Sequence, residues 1–355
     1  HLDASRYDII PIYVAKDHQI YQSDVLRDLK QFKDLDGLCA KLMPVSLCAK
    51  GNRVVICSHS RWLHKEKTLD LILPIMHGTY GEDGTLQGYL RMLGIPFCGS
   101  DLMGACLGQD KIVMKQILSM SGCPVVDWIA LEDHADSEND LIKVEEALTY
   151  PMIVKPATLG SSVGIHMVKD QAELKDALED AFQYDHRVIV EQALVDMKEY
   201  NCAVLGDREE AIISCVEEVF KGDEILSYHD KYEGNAKSKG IVSTSRIIPA
   251  KLSADMQKEM EELSLSTFHH LQASGVVRID FLWDNGKHKL YVNEINTIPG
   301  SLSFYLFEPK GISFSALLDQ LIALALKRQR QQASMIYSYS TNVLSTFSGG
   351  SKLMK

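Results

Sequence analysis

The feature that most confines this chain is a pair of alternating runs, Val276 to Trp283 and Lys289 to Asn296, joined by a short polar connection. Val, Ile, Phe and Leu recur on alternate positions, which predicts two strands of one antiparallel hairpin. The polar positions are Arg278 and Asp280 on the first run and Glu294 and Asn296 on the second. Strand residues two apart point the same way, so Arg278 shares a face with Asp280, and Glu294 shares one with Asn296.

Register decides whether the two pairs meet. For Asp280 to oppose Glu294 the connection must be centred on Lys287, whereas a tight Asn285-Gly286 turn would send the two carboxylates to opposite faces. A three- or five-residue connection, or a bulge, is therefore expected. In that register two carboxylates and an amide oxygen converge. Such hard oxygen donors suit Mg²⁺ held alongside nucleotide phosphates, and the Arg278 guanidinium would face developing negative charge. The alternative is an ordinary hairpin with a polar, solvated face.

Other segments organise the rest of the chain. Tyr7 to Val14, Asp24 to Leu38, Arg53 to Ser58 and Leu71 to Met76 alternate apolar runs with a helical pattern, the rhythm of a parallel α/β sheet. The first run begins at once, so this domain is expected to lack its first strand. Asp110 to Met120 predicts a helix stopped by Gly122-Cys123-Pro124. Met152 to Pro156 and Gly164 to Val168 predict a hairpin with a long Gly/Ser tip. Strands are expected at Val188 to Glu191, Asn201 to Gly206 and Ala211 to Val216, with helices at Ala254 to Leu271 and Ile312 to Lys327. Residues 221–245 lack periodicity, as a covering loop would. The tail beyond Arg328 is expected to fray.

The tip Gly160-Ser161-Ser162-Val163-Gly164 offers backbone N–H groups and two hydroxyls without bulk, so it can lie over phosphate oxygens; equally, it reads as a surface hairpin. Lys155 precedes it, either meeting a phosphate or ending a strand in water. In Thr297-Ile298-Pro299-Gly300-Ser301 the glycine can bring an N–H to a substrate oxygen, or the stretch is a plain loop.

Composition narrows the function classes. A net charge of -11 argues against a nucleic-acid partner. No apolar run reaches the ~20 residues that span a bilayer, and the opening His1-Leu2-Asp3 does not read as a signal peptide, so a cytoplasmic protein is expected. The eight cysteines contain no CxxC pair and the histidines no HExxH, so no zinc site, disulfide framework or other transition-metal site is expected, only reduced and mostly buried thiols. A length of 355 residues implies two or three domains.

Taken in order, the segments from about residue 7 to 327 resemble the D-alanine–D-alanine ligases of the ATP-grasp superfamily. The motifs that carry the likeness are His77-Gly78-Thr79-Tyr80-Gly81-Glu82-Asp83-Gly84-Thr85-Leu86-Gln87-Gly88, Gly99-Ser100, Asp110-Lys111, Val154-Lys155-Pro156, Gly160 to Gly164, Lys231-Tyr232, Arg278-Ile279-Asp280 and Asn293-Glu294-Ile295-Asn296-Thr297-Ile298-Pro299-Gly300. The resemblance implies an ATP-grasp fold, mixing α/β and α+β parts. A Rossmann-like N-terminal domain would span 1–105, a small subdomain 106–190 and a large one 191–330 with its covering loop, before a tail over 331–355. It also implies ATP-dependent joining of two D-alanines through an acyl phosphate, for peptidoglycan, by a homodimer that uses two Mg²⁺ ions or Mn²⁺ in their place.

The resemblance assigns roles residue by residue. Lys111, Lys155, Ser161, Ser162 and Lys231 would hold phosphates, and Glu191, Leu194 and Glu199 the adenosine. Asp280, Glu294 and Asn296 would bind the metal. Arg278 and Gly300 would stabilise the tetrahedral intermediate, with Ser161 and Tyr232 near the first substrate. His77, Tyr305 and Leu306 complete the substrate contacts. Two departures stand out. The family's opening Gly-rich turn and glutamate are not in this sequence, and Tyr305 falls where a serine is usual beside the second substrate. The sequence therefore leaves open the same chemistry with another acceptor, such as D-serine, or an ATP-binding homologue without turnover.

Overall fold

The computed structural model describes residues 1–58, 66–132, 137–160, 163–220 and 245–336. Three sheets follow one another along the chain. The first contains β1 (Ile12–Val14), β2 (Ile20–Gln22), β3 (Pro44–Lys50), β4 (Arg53–Ser58) and β5 (Lys67–Leu69), paired in that order and antiparallel throughout. This corrects the expected parallel sheet. Among the described residues the parallel contact here is a single bridge, Ile72 to Phe97. The cause is connection length: Gly51-Asn52 is all that joins β3 to β4, and a parallel return needs a crossover of a dozen residues or more.

The helical pattern from Asp24 to Leu38 also resolves differently. It breaks into two 3₁₀ turns, Asp24–Arg27 and Leu29–Lys33, followed by α1 (Leu35–Lys41). Ser23, Asp28 and Asp34 each accept a hydrogen bond from a backbone N–H just downstream, so three short caps replace one continuous ladder. Leu71 to Met76 forms no strand beyond the bridge at Ile72. The helix α2 (Thr85–Leu93) covers this sheet through Leu90, against Val45, Leu47, Val54, Ile56 and Phe97.

Two helices lead out of this domain, α3 (Leu102–Gln109) and α4 (Lys111–Met120). Asp110 lies between them and caps α4 by accepting from the Ile112 and Val113 amides. The second sheet is built from β6 (Trp128–Glu132), β7 (Met152–Pro156), β8 (His166–Val168) and β9 (Arg187–Gln192), in the order β6-β9-β7-β8. The β7/β8 hairpin pairs Met152 with Val168 and Val154 with His166, as its alternation predicts. Val144 of α5 (Ser137–Ala147) and Leu174 and Leu178 of α6 (Gln171–Ala181) close one face over Met152, Val154, Val188 and Val190.

The third sheet holds β10 (Met197–Gly206), β11 (Ala211–Phe220), β12 (Ser245–Ile247), β13 (Gly275–Asp284) and β14 (Lys289–Asn296), in the order β12-β11-β10-β13-β14. One apolar group joins Met114 and Leu118 of α4 and Met260 and Phe268 of α7 (Ala254–His270) to Ile279, Phe281 and Val292. A second joins Ala203, Leu205 and Val276 to Leu306 and Phe307 of α8 (Phe304–Phe307) and Leu317 and Leu321 of α9 (Phe314–Ala333). The last helix runs past Arg328, where fraying was expected. Arg328 itself is tied down, donating to the carbonyl of Gly99 at 2.8 Å and to Ser274 Oγ at 3.0 Å.

All eight cysteines are free; three are buried and five half-buried, fewer buried than expected. Among the described residues no single helix is long and apolar enough to cross a membrane.

Candidate active site

The β13/β14 hairpin settles the register question. Arg278 pairs with Asn296 and Asp280 with Glu294, but the next pair is Phe281 with Val292, so Asn293 is an extra, bulged residue. The turn between the strands is Asn285 to His288, four residues, and Asp284 shapes it by accepting from the Gly286 and Lys287 amides. An even-numbered turn alone would place the two carboxylates on opposite faces; the bulge restores the match.

On the shared face the Arg278 fork grips Asp280, Nε to Oδ1 at 2.6 Å and Nη2 to Oδ2 at 2.7 Å, and the Asn296 amide donates to Oδ2 at 3.1 Å. Burial pushes Asp280 above the usual carboxylate range, against the pull of Arg278. Burial likewise works against the Arg278 charge, but Asp280 outweighs it and holds the guanidinium above its ordinary pKa. The donor set fits a hard divalent cation: two carboxylates opposed across neighbouring strands and a side-chain amide. Among the described residues no three His, Cys, Asp or Glu side chains are grouped so as to hold a metal ion, at the hairpin or elsewhere.

The polar row continues across the sheet. Asp280 pairs with Asn201 of β10, and Asn201 with Glu217 of β11. Glu217 is buried and takes three donors: Asn201 Nδ2 at 3.2 Å and the Tyr305 hydroxyl at 3.1 Å on Oε2, and Arg246 at 3.3 Å on Oε1. The Arg246 guanidinium also lies over the Tyr305 ring, 4.9 Å from its centroid. Burial first, then the Glu217 carboxylate, push the Tyr305 hydroxyl up to about 12.

After β14 the chain turns at Gly300. Ser301, Leu302 and Ser303 are all left-handed, with φ of 53°, 52° and 49°, a conformation that side-chain-bearing residues rarely hold three in a row. Nothing lies within 4 Å of where a Gly300 Cβ would stand, so that edge is open to a close-approaching molecule. Leu306, expected at the substrate, has its side chain fully buried in the core; its backbone alone is left to serve there.

A second cluster forms on β7, β9 and α4. Lys155 Nζ donates to Glu191 Oε2 at 2.6 Å, and Lys115 Nζ stands 3.0 Å from the other oxygen, Oε1. Burial alone would raise Glu191, yet the two ammonium groups outweigh it and hold the carboxyl at about 2. Lys111 Nζ donates to the carbonyl of Leu159, while the Lys111 amide donates to Ala157, so the base of the Gly/Ser tip rests on the start of α4. Asp185 secures the same base by accepting from the Thr158 amide and hydroxyl at 2.8 and 2.7 Å. The charge of Glu294 acts on both Lys111 and Lys155, and that of Glu199 on Lys155 and Asp280, so the two clusters address one space. Leu194 lies just beyond β9, lining a cleft with Gln192 and Lys287.

The structure thus brings together Arg278, Asp280, Glu294, Asn296 and Tyr305 in one group and Lys111, Lys155 and Glu191 in another. His77 is exposed, at the head of a loop that Glu82 binds to the Gly300 turn by accepting from the Gly78 amide at 2.6 Å and the Ile298 amide at 3.2 Å. Ser161, Ser162, Lys231 and Tyr232, with most of the stretch expected to cover the site, lie outside the described residues. Sequence reasoning passed over Lys115, Glu82, Glu217, Arg246 and Asn201. Lys115 had a signal, since it follows Lys111 by one helical turn and so shares its face.

Three successive antiparallel sheets, with lysines on β7 and on the helix α4 facing an acidic hairpin on the third sheet, are the arrangement of an ATP-grasp enzyme. Residues 117–323 match the family model described as D-ala D-ala ligase C-terminus, and residues 1–100 match D-ala D-ala ligase N-terminus. The chain therefore belongs to the D-alanine–D-alanine ligase family. It is 38% identical over 343 residues to the D-alanine–D-alanine ligase of Thermosipho africanus, covering 96% of this chain and 90% of that one. It is 34% identical over 350 residues to that of Geobacillus kaustophilus, covering 95% and 91%. Among solved structures, the D-alanine-D-alanine ligase from Coxiella burnetii superposes with a TM-score of 0.78 at 28% identity, over 94% of this chain and 88% of that chain. The VanG D-Ala:D-Ser ligase from Enterococcus faecalis gives 0.76 at 30% identity, over 91% of each chain.

Proposed function

We infer that this chain joins two D-alanines into D-alanyl-D-alanine at the expense of ATP, supplying a dipeptide for peptidoglycan. One carboxylate takes the γ-phosphoryl group to become an acyl phosphate. The amine of the second molecule attacks that carbonyl, and phosphate leaves. The observation that carries the reading is the bulged register that sets Asp280 against Glu294 on the face shared with Arg278 and Asn296.

Asp280, Glu294 and Asn296 would hold Mg²⁺, or Mn²⁺ in its place, and the cation would neutralise charge on the phosphates. The chain's own groups do the rest. Lys111 and Lys155 present buried ammonium groups to the phosphates, with Lys231 and the tip serines Ser161 and Ser162 assigned beside them from the family pattern. Glu191 and Glu199 would accept from the adenosine. Arg278 and the Gly300 amide would face the oxyanion of the tetrahedral intermediate. His77, Ser161 and Tyr232 would hold the first amino acid, with Tyr305 and the Leu306 backbone near the second. Tyr305 in the usual serine position makes D-serine the acceptor to test beside D-alanine.

A cytoplasmic homodimer with no nucleic-acid or membrane partner completes the reading; light scattering on the purified protein tests the dimer. The central experiment is mass spectrometry of products from ATP, Mg²⁺ and a mixture of D-alanine, D-serine and D-lactate. D-Alanyl-D-alanine as the main product supports the reading. Phosphate release that does not depend on D-alanine would defeat it.

A further inference from the structure

The Lys115 side chain is completely buried, and Glu191 Oε1 at 3.0 Å is its ion-pair partner. The contact lacks hydrogen-bond geometry, so Lys115 Nζ and Glu191 Oε1 keep unused bonding capacity although both are buried. Lys155 holds the opposite oxygen, Oε2, at 2.6 Å. One buried carboxylate is thus shared by two ammonium groups, with a third, Lys111, buried nearby and bound to a carbonyl. A buried cation is costly unless compensated; at Glu191 itself two ammonium groups share one carboxylate, while Glu294 and Glu199 act on Lys155 from the acidic hairpin's side.

That imbalance has a direction. A one-to-one pair of Lys155 with Glu191 would be neutral and closed. Drawing Lys155 away toward a phosphate would then strand a buried carboxylate, at the full cost of breaking a buried pair. With Lys115 on the other oxygen, Glu191 stays compensated when Lys155 turns to an anion. We propose that Lys115 is a positioning residue for nucleotide binding: it takes up the charge of Glu191 so that Lys155 is released to the phosphates of a nucleoside triphosphate. The proposal rests on the reading of Lys155 as a phosphate ligand. Lys115 itself touches no substrate.

The test uses the full chain in four forms, titrated with ADP and Mg²⁺ by calorimetry and assayed for the KM of ATP and of D-alanine. Lys115→Met keeps the side-chain length and the Lys155–Glu191 pair, so the fold should hold. It should weaken ADP binding and raise the KM for ATP by about tenfold or more, with the KM for D-alanine unchanged. Lys115→Arg keeps a cation against Glu191 and changes no group assigned to the nucleotide. Its ADP affinity should stay within about threefold of wild type, with thermal melts confirming that both Lys115 variants fold. Unchanged ADP affinity in Lys115→Met, or a folded Lys115→Arg as weak as Lys115→Met, would overturn the proposal. Lys155→Met is the separate control: wild-type ADP affinity there would instead defeat the assignment of Lys155 to phosphate.

Discussion

Asp280 and Glu294 stand directly opposite one another because Asn293 is bulged out of β14. A four-residue turn and an extra strand residue each shift the side-chain parity by one step, and together they cancel. The acidic pair is therefore a property of the whole hairpin; Asp280 also holds the Arg278 fork, so Glu294 is the carboxylate to change.

Glu294→Gln is isosteric and should lower turnover by ~10²-fold or more, since a divalent cation contributes several kcal/mol of charge stabilisation and each 1.36 kcal/mol is tenfold. D-Alanine-dependent phosphate release measures it, with a thermal melt as the control for folding. A variant with wild-type turnover would remove Glu294 from metal binding.

Tyr305→Phe deletes one hydroxyl and leaves Glu217 with Arg246 and Asn201. With Tyr305 bordering the acceptor, the KM for the second amino acid should rise by about threefold to tenfold, the effect of one ordinary hydrogen bond, while the KM for ATP stays put. Initial rates over a wide D-alanine range separate the two amino-acid sites. Equal changes in every parameter would point to a packing role instead.

Acid stability follows from Glu191. Its carboxyl sits at about 2, below the ordinary 4.5, because Lys115 and Lys155 outweigh the effect of burial. A folded pKa below the unfolded one contributes stability above pH 4.5 that is lost as pH falls toward 2. Glu191→Gln should therefore be most destabilised relative to wild type at pH 7, with the gap closing toward pH 2. Urea midpoints at pH 7, 4.5 and 3 would show it, and a constant gap would contradict it.

Gly104 tests the packing of α3. Helix propensity favours alanine there by about 1 kcal/mol. A Cβ at Gly104, however, would stand 2.5 Å from the carbonyl oxygen of Gln272, which is backbone and cannot step aside. The clash should win, and Gly104→Ala should cost about 1–3 kcal/mol by chemical denaturation. A more stable variant would show that α3 can slide.

The acidic hairpin was legible in sequence because alternation fixes strand faces, and the parity argument left few turns that could work. The β7/β8 hairpin was legible for the same reason. The first sheet was not: β1, β2 and β5 are three residues each, too short for any period to show. The single helix read over Asp24 to Leu38 failed because Asp28 and Asp34 intercept the backbone locally. Lys115 was missed because its spacing from Lys111 shows a shared helix face but not what packs over that face and buries it. Glu217 and Arg246 were missed because they meet Tyr305 across 88 and 59 residues of chain respectively.

The left-handed corner after Gly300 hangs on Leu302 and Leu306, both sunk among Phe307, Leu317 and Leu321. Its aim is thus inherited from oil, with the Glu82 carboxylate on the Ile298 amide as the polar tether just ahead of it. A misplacement of about 1 Å at the reacting carbonyl can cost ~10²-fold in rate, so trimming a distant aliphatic side chain in this packing should slow catalysis. Variation in the last long helix should for that reason surface as sluggish catalysis in proteins that still look intact.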